Sequence, residues 1–232
     1  AHLFEHLMFG GSINIKDYDE PLQRAGGENN AYTTNDLTNY YCQLPAQNIE
    51  TAFWLESDRM LALNINPESL SVQQGVVIEE FKQRCFNAPF GMLWHHVREL
   101  LYKKSSYRWP TIGLSFEHIE NATLEDVQSF YNAFYLPQNA VLSVVGNISF
   151  EDCKSLCFKW FEPIVKEGSQ NKNAYFDEAF PVERRQLLAE DLSPNDAVFL
   201  IWRGPSFKDE DSLALDVFAD MLGGSDVSEL QE

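Results

Sequence analysis

Helical and strand-like spacings of apolar residues alternate along this chain, and glycines and prolines punctuate them. Residues 3–9 read as a short helix stopped by Gly10 and Gly11, and "YDEPLQRAG" as a second one ending at Gly26-Gly27. In "NAYTTNDLTNYYCQLP", β-branched and aromatic residues flank a polar "TND" turn, which predicts a hairpin. Ile49, Phe53 and Met60 then fall at helical spacing. Pro67 opens the next helix at a position suited to its fixed φ, and that helix carries "VVIEEFKQR". The helix is expected to weaken near Asn87-Ala88-Pro89 and to resume through "MLWHHVRELLY". Residues 123–135 begin with a Thr-x-x-Glu-type capping signal at Thr123. "NAVLSVVGNI" reads as a buried strand and "EDCKSLCFKWF" as another helix.

Residues 167–181 are polar and aperiodic, as in a linker or long loop. Beyond them "QLLAEDL" and "DAVFLIWRG" read as strands and "DEDSLALDVFADMLGG" as a helix. One strand pair and one helix bury little core by themselves, so this second unit is expected to be incomplete. The predicted fold class is α+β: a mixed, mainly antiparallel sheet packed with helices. The first domain is expected over residues 1–178, and the beginning of a second, similar one over 179–232.

The chain has 232 residues and a formal net charge of -18, from 35 acidic and 17 basic side chains. That balance disfavours nucleic acid as a partner, since phosphate would be repelled. No apolar run is long enough to span a membrane. Cys42, Cys85, Cys153 and Cys157 form no C-x-x-C pair, and Cys153 and Cys157, four apart in an expected helix, read as buried thiols rather than a metal or redox site.

The chemistry concentrates in "AHLFEHLMFGG". His2 and His6 are four apart, on one face of a helix and close enough to share one ion. Zinc accepts neutral imidazole nitrogens, and a hydrolytic zinc site keeps one position for water. Glu5, beside His6, points to the rim of that face, where it could take a proton from an attacking water. His-x-x-Glu-His is the inverse of the commoner His-Glu-x-x-His and is itself a zinc-hydrolase signature. Two histidines need a carboxylate to complete the set, and "VVIEEFKQR" offers Glu79 and Glu80. Against this stands the plain alternative of an amphipathic helix with a solvated acidic edge.

With "AHLFEHLMFGGS", "GGENNAYTTNDLTNYY", "VVIEEFKQR", "YRWPTIG", "ATLEDVQSFYNAFYLPQNAVLSVVGNI" and "DEDSLALDVFADMLGGSDVSEL" in this order, the chain resembles the insulinase/pitrilysin family of inverted-motif zinc peptidases, which includes the processing-peptidase β-subunits. The resemblance implies His2 and His6 as zinc ligands, Glu5 as general base and Glu80, the second of the acidic pair, as third ligand. One zinc per catalytic half is implied. Where the family often has a supporting glutamate, this chain has Gln73, which can orient a ligand by hydrogen bonding but brings no charge. Asn30 and Ala31 match the segment that lies beside the bound peptide, with β-augmentation as the physical mode. The resemblance also implies strands before residue 1, domains after residue 232, and a second half-clamshell on the same chain or on a partner subunit, a homodimer included.

The expected function is therefore a zinc endopeptidase acting on peptides or unfolded polypeptides. The alternative is a non-catalytic half that keeps the fold and assists a partner. His95 and His96 are adjacent on a helix and point apart, which suits packing or surface roles rather than a second metal site.

Overall fold

The computed structural model describes residues 1–166, 186, 192–193 and 195–224. The chain divides into two compact units, residues 1–192 and 193–232.

In the first unit, helices α1 (His2–Leu7) and α2 (Asp19–Arg24) precede a hairpin of strands β1 (Glu28–Thr33) and β2 (Thr38–Gln43). Gly11 ends the first turn region with φ +83, and a Cβ there would lie 2.5 Å from the Lys16 carbonyl oxygen, so only glycine fits. Helices α3 (Ile49–Leu61) and α4 (Pro67–Phe81) follow. Pro67 stands at the start of α4, and Asn66 and Ser69 cap it reciprocally. Residues Lys82–Phe86 continue α4 as a π-turn. Helices α5 (Leu93–Leu101), α6 (Phe116–Glu120), α7 (Leu124–Phe134) and α8 (Phe150–Phe161) complete the described elements of this unit. Thr123 caps α7 as the sequence predicts, with Asp126 as the reciprocal partner.

The hairpin pairs Ala31 with Tyr40 and Thr33 with Thr38 in antiparallel register. Thr34 N–H donates to the Leu37 carbonyl, so Thr34–Leu37 is a hydrogen-bonded pair. By alternation, the main-chain groups of Ala31 point away from β2, toward the outer edge of β1.

Among the described residues, three apolar clusters hold the first unit. Phe4, Leu7 and Met8 of the α1 segment pack with Leu70, Val127 and Tyr131, which joins α1 to α4 and α7. Val77 and Phe81, 0% and 1% exposed, join α4 to Ile119 of α6. Gln74 Nε2 donates to the carbonyls of Ile119, Glu120 and Ala122, and pins the same two helices. The third cluster gathers Ile15, Tyr18, Leu22 and Leu55. Beside it the Arg59 guanidinium, 3% exposed, lies over the rings of Tyr18 and Tyr40 at 4.5 and 4.7 Å and pairs with Glu56.

The α+β class holds, with a two-stranded antiparallel sheet among the described residues. Two strand expectations are corrected. Residues 140–148 make no ladder pairing, and Val141 and Val145 are 96% and 95% exposed. Residues 196–204 in the second unit likewise form no strand among the described residues. An apolar run signals a demand for burial, but a strand also needs a second strand to form a ladder with, and neither run forms a ladder among the described residues. The expected "QLLAEDL" strand and the 167–181 linker lie largely or wholly outside the described residues. In the second unit, helix α9 (Asp211–Gly223) forms where predicted and leaves Leu213, Val217 and Met221 uncovered.

Candidate metal centre

α1 is too short to be stable alone, and its apolar residues fix its orientation. Phe4 sits 4.5 Å from the Tyr135 ring and 5.4 Å from that of Phe130, centroid to centroid. With this face buried, His2 and His6 turn together toward α4, their ring centroids 5.0 Å apart. On α4, buried Val77 and Phe81 fix the rotation that carries Glu80 to the imidazoles. Glu80 Oε2 lies 3.5 Å from His2 Nε2 and 3.4 Å from His6 Nε2. The three side chains offer ligand atoms that all fall within 4.8 Å of one another.

These spacings fit a metal. Ligand atoms at 2.0–2.1 Å from a tetrahedral zinc stand roughly 3.3–3.4 Å apart. Glu80 Oε2 is buried and has no hydrogen-bond partner among the described residues, an unfavourable state for a carboxylate oxygen unless a cation compensates. Burial lowers the His2 pKa below the ordinary imidazole value, against the opposing charge of Glu80, and so favours the neutral ring with a free lone pair. His2 Nδ1 is also buried and unbonded. Glu79 is separate from this group: it is exposed and paired with Lys82 at 2.7 Å.

Glu5 is 8% exposed and lines the same open cleft of about 890 Å³ as His2, His6 and Glu80. The Thr33 hydroxyl donates a hydrogen bond to Glu5 Oε2. Thr33 continues to Thr38 at 3.2 Å, and the Tyr40 and Tyr135 hydroxyls meet at 2.6 Å close by. Burial pushes the Tyr135 hydroxyl up to about 12, so it stays protonated as part of this network.

Ala31 lines the cleft, with Tyr32, Val72 and Val76 as apolar neighbours. Asn30 is outside the lining, but its Oδ1 accepts the Ala31 N–H at 2.8 Å. Gln73, half-buried two turns before Glu80, is also outside the lining, and no hydrogen bond links it to His2, His6 or Glu80 among the described residues. The sequence reading overlooked two residues. Thr33 shares a strand face with Ala31 at i+2, and Arg84 stands four after Glu80, a spacing that brings side chains together on a helix.

The family model described as "Insulinase (Peptidase family M16)" matches residues 1–108, which include every candidate site residue, and "Peptidase M16 inactive domain" matches 121–232. A zinc protease of Helicobacter pylori, PqqE, is 31% identical over 100% of this chain and 53% of its own length. A probable mitochondrial-processing peptidase subunit beta of Arabidopsis thaliana is 22% identical over 96% of this chain and 42% of its own. A crystal structure of a protease from Helicobacter pylori superposes with a TM-score of 0.77 at 28% identity, covering 100% of this chain and 57% of that one. The chain thus spans about half the length of the curated relatives it matches. Matched in both parts, and similar throughout to a zinc protease, the chain belongs to the insulinase family, peptidase family M16.

Proposed function

We propose that this chain carries the metal centre of a zinc-dependent endopeptidase that hydrolyses peptides or unfolded polypeptides. The observation that carries the reading is the buried, unbonded Glu80 Oε2 at 3.5 and 3.4 Å from two imidazole nitrogens. In this reading His2, His6 and Glu80 hold one zinc ion. When bound, zinc supplies Lewis acidity to a carbonyl and to water. Glu5 is the general base. Thr33 holds Oε2, which leaves Oε1 to take a proton from the attacking water and return it to the leaving amine. Ala31, with its main-chain groups on the free edge of β1, pairs with the extended backbone of the substrate, a mode that tolerates many sequences. Residues 1–178 form the catalytic domain and 179–232 begin a second α+β domain. The substrate chamber is completed by a second half-clamshell, on the same chain or on a partner subunit.

The test uses the full-length protein. Zinc per chain is measured by elemental analysis, and peptide turnover is measured on wild type, Glu5→Gln and His2→Ala. Glu5→Gln is expected to keep zinc and lose roughly 10²–10⁴ in rate, the worth of a general base. His2→Ala is expected to lose both. Equal turnover by wild type and Glu5→Gln would sink the mechanism. Full zinc without turnover in the wild type would favour a non-catalytic half.

A further inference from the structure

Arg84 is not among the residues that make the centre, yet it touches it. The residue stands on the π-turn Lys82–Phe86, closed by Asn87 N–H donating to the Lys82 carbonyl at 3.0 Å. Its Nη2 lies 2.7 Å from Glu80 Oε1. The two oxygens of Glu80 are thereby divided: Oε2 faces the imidazoles and Oε1 faces the guanidinium. Arg84 also lines the cleft, with its side chain 67% exposed. Surface ion pairs usually contribute little to stability, so the significance of this one lies in what it does to Glu80. The π-turn adds to this, since such turns replace regular helix at some expense and cluster where a side chain must be aimed.

We infer that Arg84 is a positioning residue that holds Glu80 to a single ligating oxygen. A carboxylate can bind a metal through one oxygen or both. With both engaged, Glu80 would fill the position that a hydrolytic zinc site must keep open. A guanidinium bonded to Oε1 prevents that rotation while leaving Oε2 free. The inference rests on the proposed metal centre.

The test reads metal geometry rather than turnover. The full-length protein, stripped by chelation, is loaded with Co²⁺, and its visible absorption is recorded for wild type, Arg84→Ala, Arg84→Lys and His2→Ala. Four-coordinate Co²⁺ absorbs several-fold more strongly than five-coordinate Co²⁺. The wild type is expected to give the intense spectrum. Arg84→Ala is expected to lose much of that intensity as Oε1 joins the metal, and Arg84→Lys, which retains a cation for Oε1, to recover it. An Arg84→Ala spectrum identical to wild type in shape and intensity overturns the inference while leaving the centre intact. A His2→Ala protein that binds Co²⁺ as the wild type does would instead remove the centre on which the inference stands. A purely structural effect of Arg84 would change the melting temperature and leave the spectrum as it was.

Discussion

Thr33→Val removes a hydroxyl and keeps the shape of the side chain. Among the described residues, Thr33 is the one side-chain donor to Glu5, and the bond is to a carboxylate that is 8% exposed. A hydrogen bond to a charged group contributes about 1.5–3 kcal/mol. If that energy holds Glu5 in its reactive orientation, its loss lowers kcat/KM by about 10–150-fold. The same loss lowers stability, because the variant leaves a buried carboxylate oxygen without its donor. The expected cost is about 1–3 kcal/mol, or very roughly 2–10 °C in Tm for a chain of this size. Urea unfolding and steady-state peptide hydrolysis on the full-length protein measure the two effects separately. Thr33→Ser, which restores the hydroxyl, is expected to recover most of both. A Thr33→Val protein that is destabilised but keeps kcat/KM within about twofold of wild type would refute the reasoning, since the bond would then serve the fold and not the base.

Three further outcomes follow from the same structure. Tyr131→Phe keeps the ring beside Phe4 but removes a hydroxyl that donates to the Arg59 and Met60 carbonyls and accepts Leu63 N–H; chemical denaturation should show a loss of about 1–3 kcal/mol, and an unchanged midpoint would mean water replaces the hydroxyl. Gly75 lies inside α4, where an added Cβ meets nothing within 4 Å, so Gly75→Ala should raise stability by about 1 kcal/mol in a thermal melt; a lower Tm would show that the position is occupied in the whole protein. His95 donates from Nε2 to the Gly113 carbonyl at 2.9 Å, its Nδ1 is buried without an acceptor, and burial lowers its pKa below 6.5. The unfolded chain therefore binds this proton more readily than the folded one. The His95 contribution should be steady above about pH 6.5 and decline as pH falls below it, so a wild-type urea midpoint no more acid-sensitive than that of His95→Leu would contradict the assignment.

Local signals in the sequence were sufficient for elements whose determinants lie within a few residues. The capping signal at Thr123, Pro67 at a helix start and the polar turn between the two strands each act over three or four positions. The site was legible for a related reason. His2 and His6 are brought together by helical spacing alone, and the resemblance to the insulinase family singled out Glu80 from the acidic pair. The choice agrees with packing that no local pattern discloses, since Val77 and Phe81 turn Glu80 inward and leave Glu79 to Lys82. Thr33 was overlooked because its bond to Glu5 joins a strand to a helix across the fold. The run at 139–148 misled because hydrophobicity records what a segment needs and not which neighbour meets that need.

The hydrogen bond from Ala31 N–H to the Asn30 side chain has a consequence for recognition. An outer strand with idle main-chain groups invites any extended chain, including another copy of itself. Here the donor that a visiting strand would use is already engaged by its own neighbour. A visitor must displace Asn30 Oδ1, so the gain is only the difference between two bonds. Pairing at this edge is therefore an exchange reaction with a small driving force. Such a surface rewards ligands that are anchored elsewhere as well, releases them readily once that anchor is cut, and stays inert toward strands that offer nothing more than their backbone.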